Sequence, residues 1–157
     1  MLLLAISGCV VPIGPEWTDP EANHPPTIYL ANPPIGAVLD FGATGNAAMG
    51  LEVGLADQNT QDSLYVRWII DYPPQPNVDG AHVALPLTLP GGNQLNRPTI
   101  RFAPSCNDAT ISPDVANHRL LLAVSDRPFS DDPQVLDLVT PGNYRVEASW
   151  DFTLACP

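Results

Sequence analysis

Tyr144-Arg-Val-Glu-Ala-Ser-Trp-Asp-Phe-Thr-Leu154 alternates apolar and polar residues along its whole length. The apolar members are Tyr144, Val146, Ala148, Trp150, Phe152 and Leu154. The residues between them are Arg145, Glu147, Ser149, Asp151 and Thr153. Because successive side chains of a strand point to opposite faces, this period of two predicts a half-buried β-strand. Cys156 falls on the apolar face of the same pattern.

The same period recurs earlier in the chain. Two further segments, 49–56 and 64–71, show this alternation. In the first, the larger apolar residues are Met49, Leu51, Val53 and Leu55, and the residues between them are Gly50, Glu52, Gly54 and Ala56. In the second, one face carries Leu64, Val66, Trp68 and Ile70, and the other carries Tyr65, Arg67, Ile69 and Asp71. Weaker strand patterns cover 27–30, 83–89, 99–103 and 118–125, and turn signals such as Pro90-Gly91-Gly92-Asn93 separate them. Ser112-Pro113-Asp114 and Asp132-Pro133-Gln134 each predict a helical turn or two, because a capping residue precedes a proline.

Composition favours one all-β domain. A chain of 157 residues is long enough for a single core, and 19 prolines and 11 glycines favour short strands and many turns over long helices. The net charge is −11, with 17 acidic residues against six arginines and no lysine. Nucleic acid is therefore excluded as an expected partner, because phosphate binding needs a basic surface.

About seven short antiparallel strands with a tryptophan in the third predict a two-sheet β-sandwich. Trp68 in Leu64-Tyr-Val-Arg-Trp-Ile-Ile-Asp71 stands where immunoglobulin-like domains place a core tryptophan, so residues 27–156 resemble that superfold. The chain departs from true immunoglobulin domains because no cysteine lies in its second or sixth predicted strand. A small up-and-down or jelly-roll barrel is the alternative.

The N-terminus carries a short motif of its own. Ile6-Ser7-Gly8-Cys9, directly behind the apolar run from Leu2, resembles a bacterial lipobox. The resemblance implies that a signal peptidase cuts before Cys9, that its thiol carries a diacylglycerol, and that the protein is anchored in the cell envelope. Val10, which is not Asp, implies the outer membrane if the host is Gram-negative. No Lys or Arg precedes the motif, so we expect a start codon upstream of Met1 or a shortened sequence. An ordinary first strand with a core thiol at Cys9 is the alternative.

These features divide the chain into three parts. Residues 1–8 are the remnant of a lipoprotein signal, 9–26 are a proline-rich tether and 27–157 are the sandwich domain. With Cys9 lipidated, Cys106 and Cys156 remain as a pair in a compartment where disulfides persist. We therefore predict a Cys106–Cys156 bridge, with two free buried thiols as the alternative.

Two acidic loops follow the second and the sixth predicted strands. In an immunoglobulin-like sandwich these loops lie at the same end, and their hard oxygen ligands suit Ca²⁺. The candidate ligands are Asp57, Asn59, Asp62, Asp126, Asp131 and Asp132. No EF-hand spacing is present, and Asp and Asn also populate ordinary turns, so a solvated acidic surface partly neutralised by Arg67 and Arg127 is the alternative. We expect no cofactor other than this calcium.

No catalytic motif is present. The chain has no Gly-x-Ser-x-Gly, His-Glu-x-x-His, P-loop or dinucleotide fingerprint, and its histidines lie in the tether (His24) or at predicted strand starts (His82, His118). The sequence therefore favours a non-enzymatic, lipid-anchored structural or protein-interaction module, with the membrane and a protein as its partners. A calcium- or carbohydrate-binding sandwich is the first alternative, and a hydrolase with an unrecognised site is the second.

Overall fold

The computed structural model describes residues 23–41, 50–72, 82–103, 117–131, 136 and 144–153. This part of the chain is all-β and contains no helix. Its eight strands are β1 (Thr27–Asn32), β2 (Val38–Asp40), β3 (Leu51–Ala56), β4 (Leu64–Ile70), β5 (His82–Leu89), β6 (Ile100–Phe102), β7 (Asn117–Ser125) and β8 (Arg145–Thr153).

The strands form two separate sheets, which confirms the predicted sandwich. One sheet has the order β1-β3-β6, and the other has the order β2-β8-β7-β4-β5. One sheet of three strands and one of five are compatible with a β-sandwich. All pairings are antiparallel except the one between β2 and β8.

Strand β2 and its parallel pairing were not predicted. Val38 pairs with Asp151 and Asp40 pairs with Thr153, while Leu39 between them is buried. Three residues are too few to show a period, so nothing in the local pattern marks this strand. Since β2 comes before it, the core tryptophan lies in the fourth strand rather than the third.

The main core lies between the two sheets. Leu51, Val53 and Leu55 of β3 are fully buried there, as their alternation predicted. Trp68 of β4 bridges the sheets, since its ring centroid lies 5.3 Å from that of Phe102 on β6 and 6.2 Å from that of Trp150 on β8. The core tryptophan expected from the immunoglobulin-like resemblance is therefore present.

The outward face of β4 is also covered, so the prediction of a half-buried strand is wrong there. Ile69 is fully buried in a second apolar cluster with Leu121, Ala123, Phe129 and Leu136. Arg67, on the same face, stacks its guanidinium on the Phe129 ring, 4.8 Å from the centroid, and donates to the Ser130 carbonyl oxygen. The chain after β7 folds back over the five-stranded sheet, which a pattern local to β4 does not reveal.

Several predictions fall outside the described residues. They concern the lipobox cysteine Cys9, the Cys106–Cys156 bridge, the metal candidate Asp132 and both short helical turns. They stay predictions.

Candidate functional site

The acidic residues singled out in the sequence meet at one end of the sandwich. We call this the acidic end; it comprises the β3–β4 loop (57–63) and residues 126–131, which follow β7. The two segments are in contact, because the Arg127 guanidinium lies 3.5 Å from the Asp62 carboxylate. Asp57, Asn59, Asp62 and Asp126 take part in this arrangement, whereas Asp131 is exposed to solvent.

Asp57 is buried directly after β3. Asp57 is only 1% exposed. Its Oδ1 accepts a hydrogen bond from the Asn59 backbone N–H at 2.9 Å, as in an Asx turn. Its Oδ2 has no hydrogen-bond donor in the described part of the chain, although the Arg97 guanidinium lies 3.7 Å away. Burial raises the pKa of the Asp57 carboxyl, and this outweighs the lowering by the Asn59 hydrogen bond and by Arg97.

Asp126 is buried directly after β7. Its Oδ2 accepts a hydrogen bond from the Asn23 side-chain amide at 2.7 Å, and its Oδ1 is buried without a donor among the residues described. Burial raises the pKa of the Asp126 carboxyl, and this outweighs the lowering by the Asn23 hydrogen bond and the Arg127 charge. The negative charge of Asp62 raises the pKa of both buried carboxyls, so the three acids lie close enough to repel one another.

The segment leading into β1 is fastened to this same end, which the sequence did not predict. Asn23 bonds to Asp126, and the His24 backbone N–H donates to Asn59 Oδ1 at 2.8 Å. These contacts join residues separated by 103 and 35 positions, so no local pattern could reveal them. The segment that begins at Asn23 and leads into β1 therefore meets the domain at its acidic end.

Two arginines reduce the net negative charge that the acidic end could offer to a metal ion. Arg97 and Arg127 place two positive charges beside Asp57, Asp62 and Asp126, so most of the negative charge is already compensated. No group of three or more His, Cys, Asp or Glu side chains that could hold a metal ion occurs in the described ranges. Calcium binding, which would also need neutral oxygens here, stays a prediction.

The Asp126 pKa leads to a testable pH dependence. Because its pKa is raised in the folded state, the carboxyl binds a proton more readily there than in the unfolded chain. Its contribution to stability therefore grows as the pH falls from near 7 through the folded-state pKa toward its ordinary value of about 4. Asp126→Asn removes this titration but keeps an acceptor for Asn23. We expect the wild type to gain unfolding free energy relative to Asp126→Asn as the pH is lowered from near 7 to about 4, measured by urea denaturation at both values.

Asp131→Asn is the matched control for that experiment, because it removes one negative charge from the exposed part of the same segment. A difference between wild type and Asp126→Asn that stays constant, or that grows with rising pH, would contradict the assignment.

A buried histidine occupies the opposite end of the sandwich. His118 Nδ1 lies 2.8 Å from Asp71 Oδ2, and the His118 ring stacks on Phe152 with centroids 5.0 Å apart. Asp71 follows β4 with φ of 59°, and its Oδ1 accepts from the Arg119 backbone N–H at 3.0 Å. Asp tolerates this left-handed conformation better than most residues, so Asp71 serves as a polar cap that ties β4 to β7.

In many hydrolases an Asp carboxylate bonded to a His orients that His, which acts as the general base. No Ser, Thr or Cys side chain forms a hydrogen bond with His118 in the part of the chain that the structure describes. The hydrolase interpretation therefore stays a prediction. Sequence reasoning placed His118 at a strand start but missed its partner, because the pairing depends on the register of β4 against β7.

Comparison with known proteins adds no relative. No protein-family model, no curated protein sequence and no solved structure matches this chain. Within the described ranges, no helix is long and apolar enough to cross a membrane.

Proposed function

We propose that this protein is an exported, lipid-anchored protein of the cell envelope whose sandwich domain works by contact with a protein partner rather than by catalysis. The observation that carries the proposal is Ile6-Ser7-Gly8-Cys9 behind an apolar run, the pattern of a lipobox. Anchoring through a diacylglycerol on Cys9 supplies two acyl chains, which suffices for stable attachment where one chain is marginal.

The geometry of the acidic end supports this proposal. Asn23 and His24 bond to the loops there, so the anchored chain would meet the domain at that end. The 14 residues from Val10 to Asn23 can span at most about 50 Å, so the acidic end would lie within that distance of the bilayer. The opposite end of the sandwich would then point away from the membrane.

Charge supports attachment by lipid rather than by the protein surface. With a net charge of −11, the chain is repelled by anionic headgroups and stands away from them. The acidic end would therefore face the bilayer without adsorbing to it. A sandwich held in this way presents its distal end and its sides to other envelope components, which is the arrangement that a contact module needs.

The test is the intact mass and membrane fractionation of the protein expressed in a bacterial host from the start codon expected upstream of Met1, compared with Cys9→Ala. We expect the wild type to begin at Cys9, to carry the added mass of a diacylglyceryl group and to sediment with membranes. Cys9→Ala should lose both the added mass and the membrane association.

The double variant Cys106→Ala/Cys156→Ala is the control, because it removes both thiols that the proposal does not lipidate and leaves neither one unpaired. It should keep the lipid and the membrane association. A wild-type chain that retains the residues ahead of Cys9 without added mass would overturn the lipid anchor.

A further inference from the structure

A cavity with polar and apolar walls opens beside the loop between β5 and β6. Its volume is about 390 Å³, which falls within the range of about 300–1,000 Å³ typical of small-molecule sites. Its polar lining side chains are those of Asn93, Gln94, Asn96 and Arg97, and Pro90 and Pro98 also line it. The acidic-end contacts described above do not use the three amides, although Arg97 both lines the cavity and lies beside Asp57.

Backbone hydrogen bonds hold this loop in place. Gly92 N–H donates to the Thr60 carbonyl at 2.8 Å, and Arg97 N–H donates to the Leu55 carbonyl at 2.8 Å. Between them, the Leu95 carbonyl accepts from Asp57 N–H at 3.0 Å. A loop fixed to a neighbouring strand and loop is already ordered before a ligand arrives, so binding costs less conformational entropy.

The amides provide both donors and acceptors. Gln61 Nε2 donates to Asn93 Oδ1 at 3.1 Å, which orients the Asn93 amide, while the Gln94 and Asn96 side chains have no hydrogen-bond partner in the described part of the chain. Each side-chain amide presents one acceptor oxygen and two N–H donors. Each hydroxyl of a sugar likewise donates and accepts, so three amides within four positions match a run of sugar hydroxyls.

The charges around the cavity favour a neutral ligand. The Arg97 side chain is buried, its Nη2 donates to the Asp62 carbonyl at 2.9 Å, and its charge lies beside the Asp57 carboxylate. Its positive charge is thus compensated within the protein, and the acidic chain repels anions. The two prolines in the lining, Pro90 and Pro98, offer apolar surface to the C–H groups of a sugar ring.

We propose that the β5–β6 loop binds a small neutral saccharide through the side-chain amides of Asn93, Gln94 and Asn96. The site does not depend on the lipid anchor, because it is formed by the loop and its contacts with β3 and the β3–β4 loop. The saccharide occupies the cavity, exchanges hydrogen bonds with the amides and rests against the proline rings.

The experiment is an NMR titration of the folded, ¹⁵N-labelled protein with three probes: maltose, cellobiose and N,N′-diacetylchitobiose. We expect at least one of them to shift the side-chain amide signals of Asn93, Gln94 and Asn96 in a saturable manner. The double variant Asn93→Ala/Gln94→Ala should weaken that binding by about tenfold or more, because two hydrogen-bonding groups are lost. Its spectrum also reports directly whether the domain is still folded.

Gln58→Ala is the matched control, since Gln58 is an exposed amide in the adjacent β3–β4 loop and does not line the cavity. It should leave the affinity unchanged. Failure of all three disaccharides to shift the loop amides would overturn the proposal. Binding of glucuronate in their place, with shifts centred on Arg97, would overturn it in favour of an anion site.

Discussion

Replacing Trp150 with alanine is expected to lower the free energy of unfolding by about 3–5 kcal/mol, the usual cost of truncating a buried aromatic side chain. Trp150 is 1% exposed and packs between the sheets beside Trp68. Its indole Nε1–H donates to the Pro34 carbonyl at 2.9 Å, with the Pro33 carbonyl 3.2 Å away. Alanine leaves a cavity and removes the donor that the carbonyls use, so packing and hydrogen bonding are lost together.

Urea denaturation followed by far-ultraviolet circular dichroism measures this effect without depending on tryptophan fluorescence. Trp150→Phe should cost less than Trp150→Ala, because it keeps an aromatic ring and loses mainly the indole donor. Val38→Ala is the surface control, since Val38 is 74% exposed and should change stability by no more than about 0.5 kcal/mol. If Trp150→Ala cost as little as Val38→Ala, the place of Trp150 in the core would be wrong.

Gly91→Ala is expected to destabilise the protein by about 1–3 kcal/mol, the usual range for forcing atoms into filled space. A Cβ atom at position 91 would lie 1.9 Å from the Gln61 carbonyl oxygen and 2.4 Å from the Gln61 carbonyl carbon. Both are backbone atoms and cannot turn aside, so the β5–β6 loop must move away from the β3–β4 loop. The hydrogen bond from Gly92 N–H to the Thr60 carbonyl is then strained or lost.

Gly92→Ala provides the matched control, because a Cβ atom at that position meets nothing within 4 Å. It should be neutral or slightly stabilising, since alanine restricts the unfolded chain more than glycine does. The measurement is again the urea denaturation midpoint of both variants and the wild type. Equal stability of Gly91→Ala and Gly92→Ala would contradict the close approach of the two loops.

Most strands were predictable because apolar and polar residues alternate along a half-buried strand, which gives its sequence a period of two. The pattern of Leu51, Val53 and Leu55 and that of Val146 to Phe152 identified the core-facing side chains correctly. The three residues of β2 were missed because such a short strand is defined by its pairing with β8 and not by its own composition. The outward face of β4 was misjudged for a related reason, since Phe129 and Leu136 cover Ile69 from a distant part of the chain.

The acidic end was predictable in part. The order of the strands along the chain, combined with an immunoglobulin-like fold, was enough to place the loops carrying Asp57 and Asp126 at one end. The burial of these two carboxylates, and the arginines and the asparagine that accompany them, could not be read from the sequence. Arg97 comes from the β5–β6 loop and Asn23 from the segment before β1, and only the packed domain brings them to the same place.

By itself, the sequence determined an acidic, proline-rich, all-β sandwich with a tryptophan core, because composition and a period of two are local properties of the chain. It also carries the lipobox-like motif on which the proposed anchor rests. Only the tertiary structure decided which charges compensate one another at the acidic end, that Asn23 and His24 are bonded there, and that residues of the β5–β6 loop line an open cavity. Each of these depends on contacts between residues far apart in the chain, and such contacts exist only once the two sheets have packed.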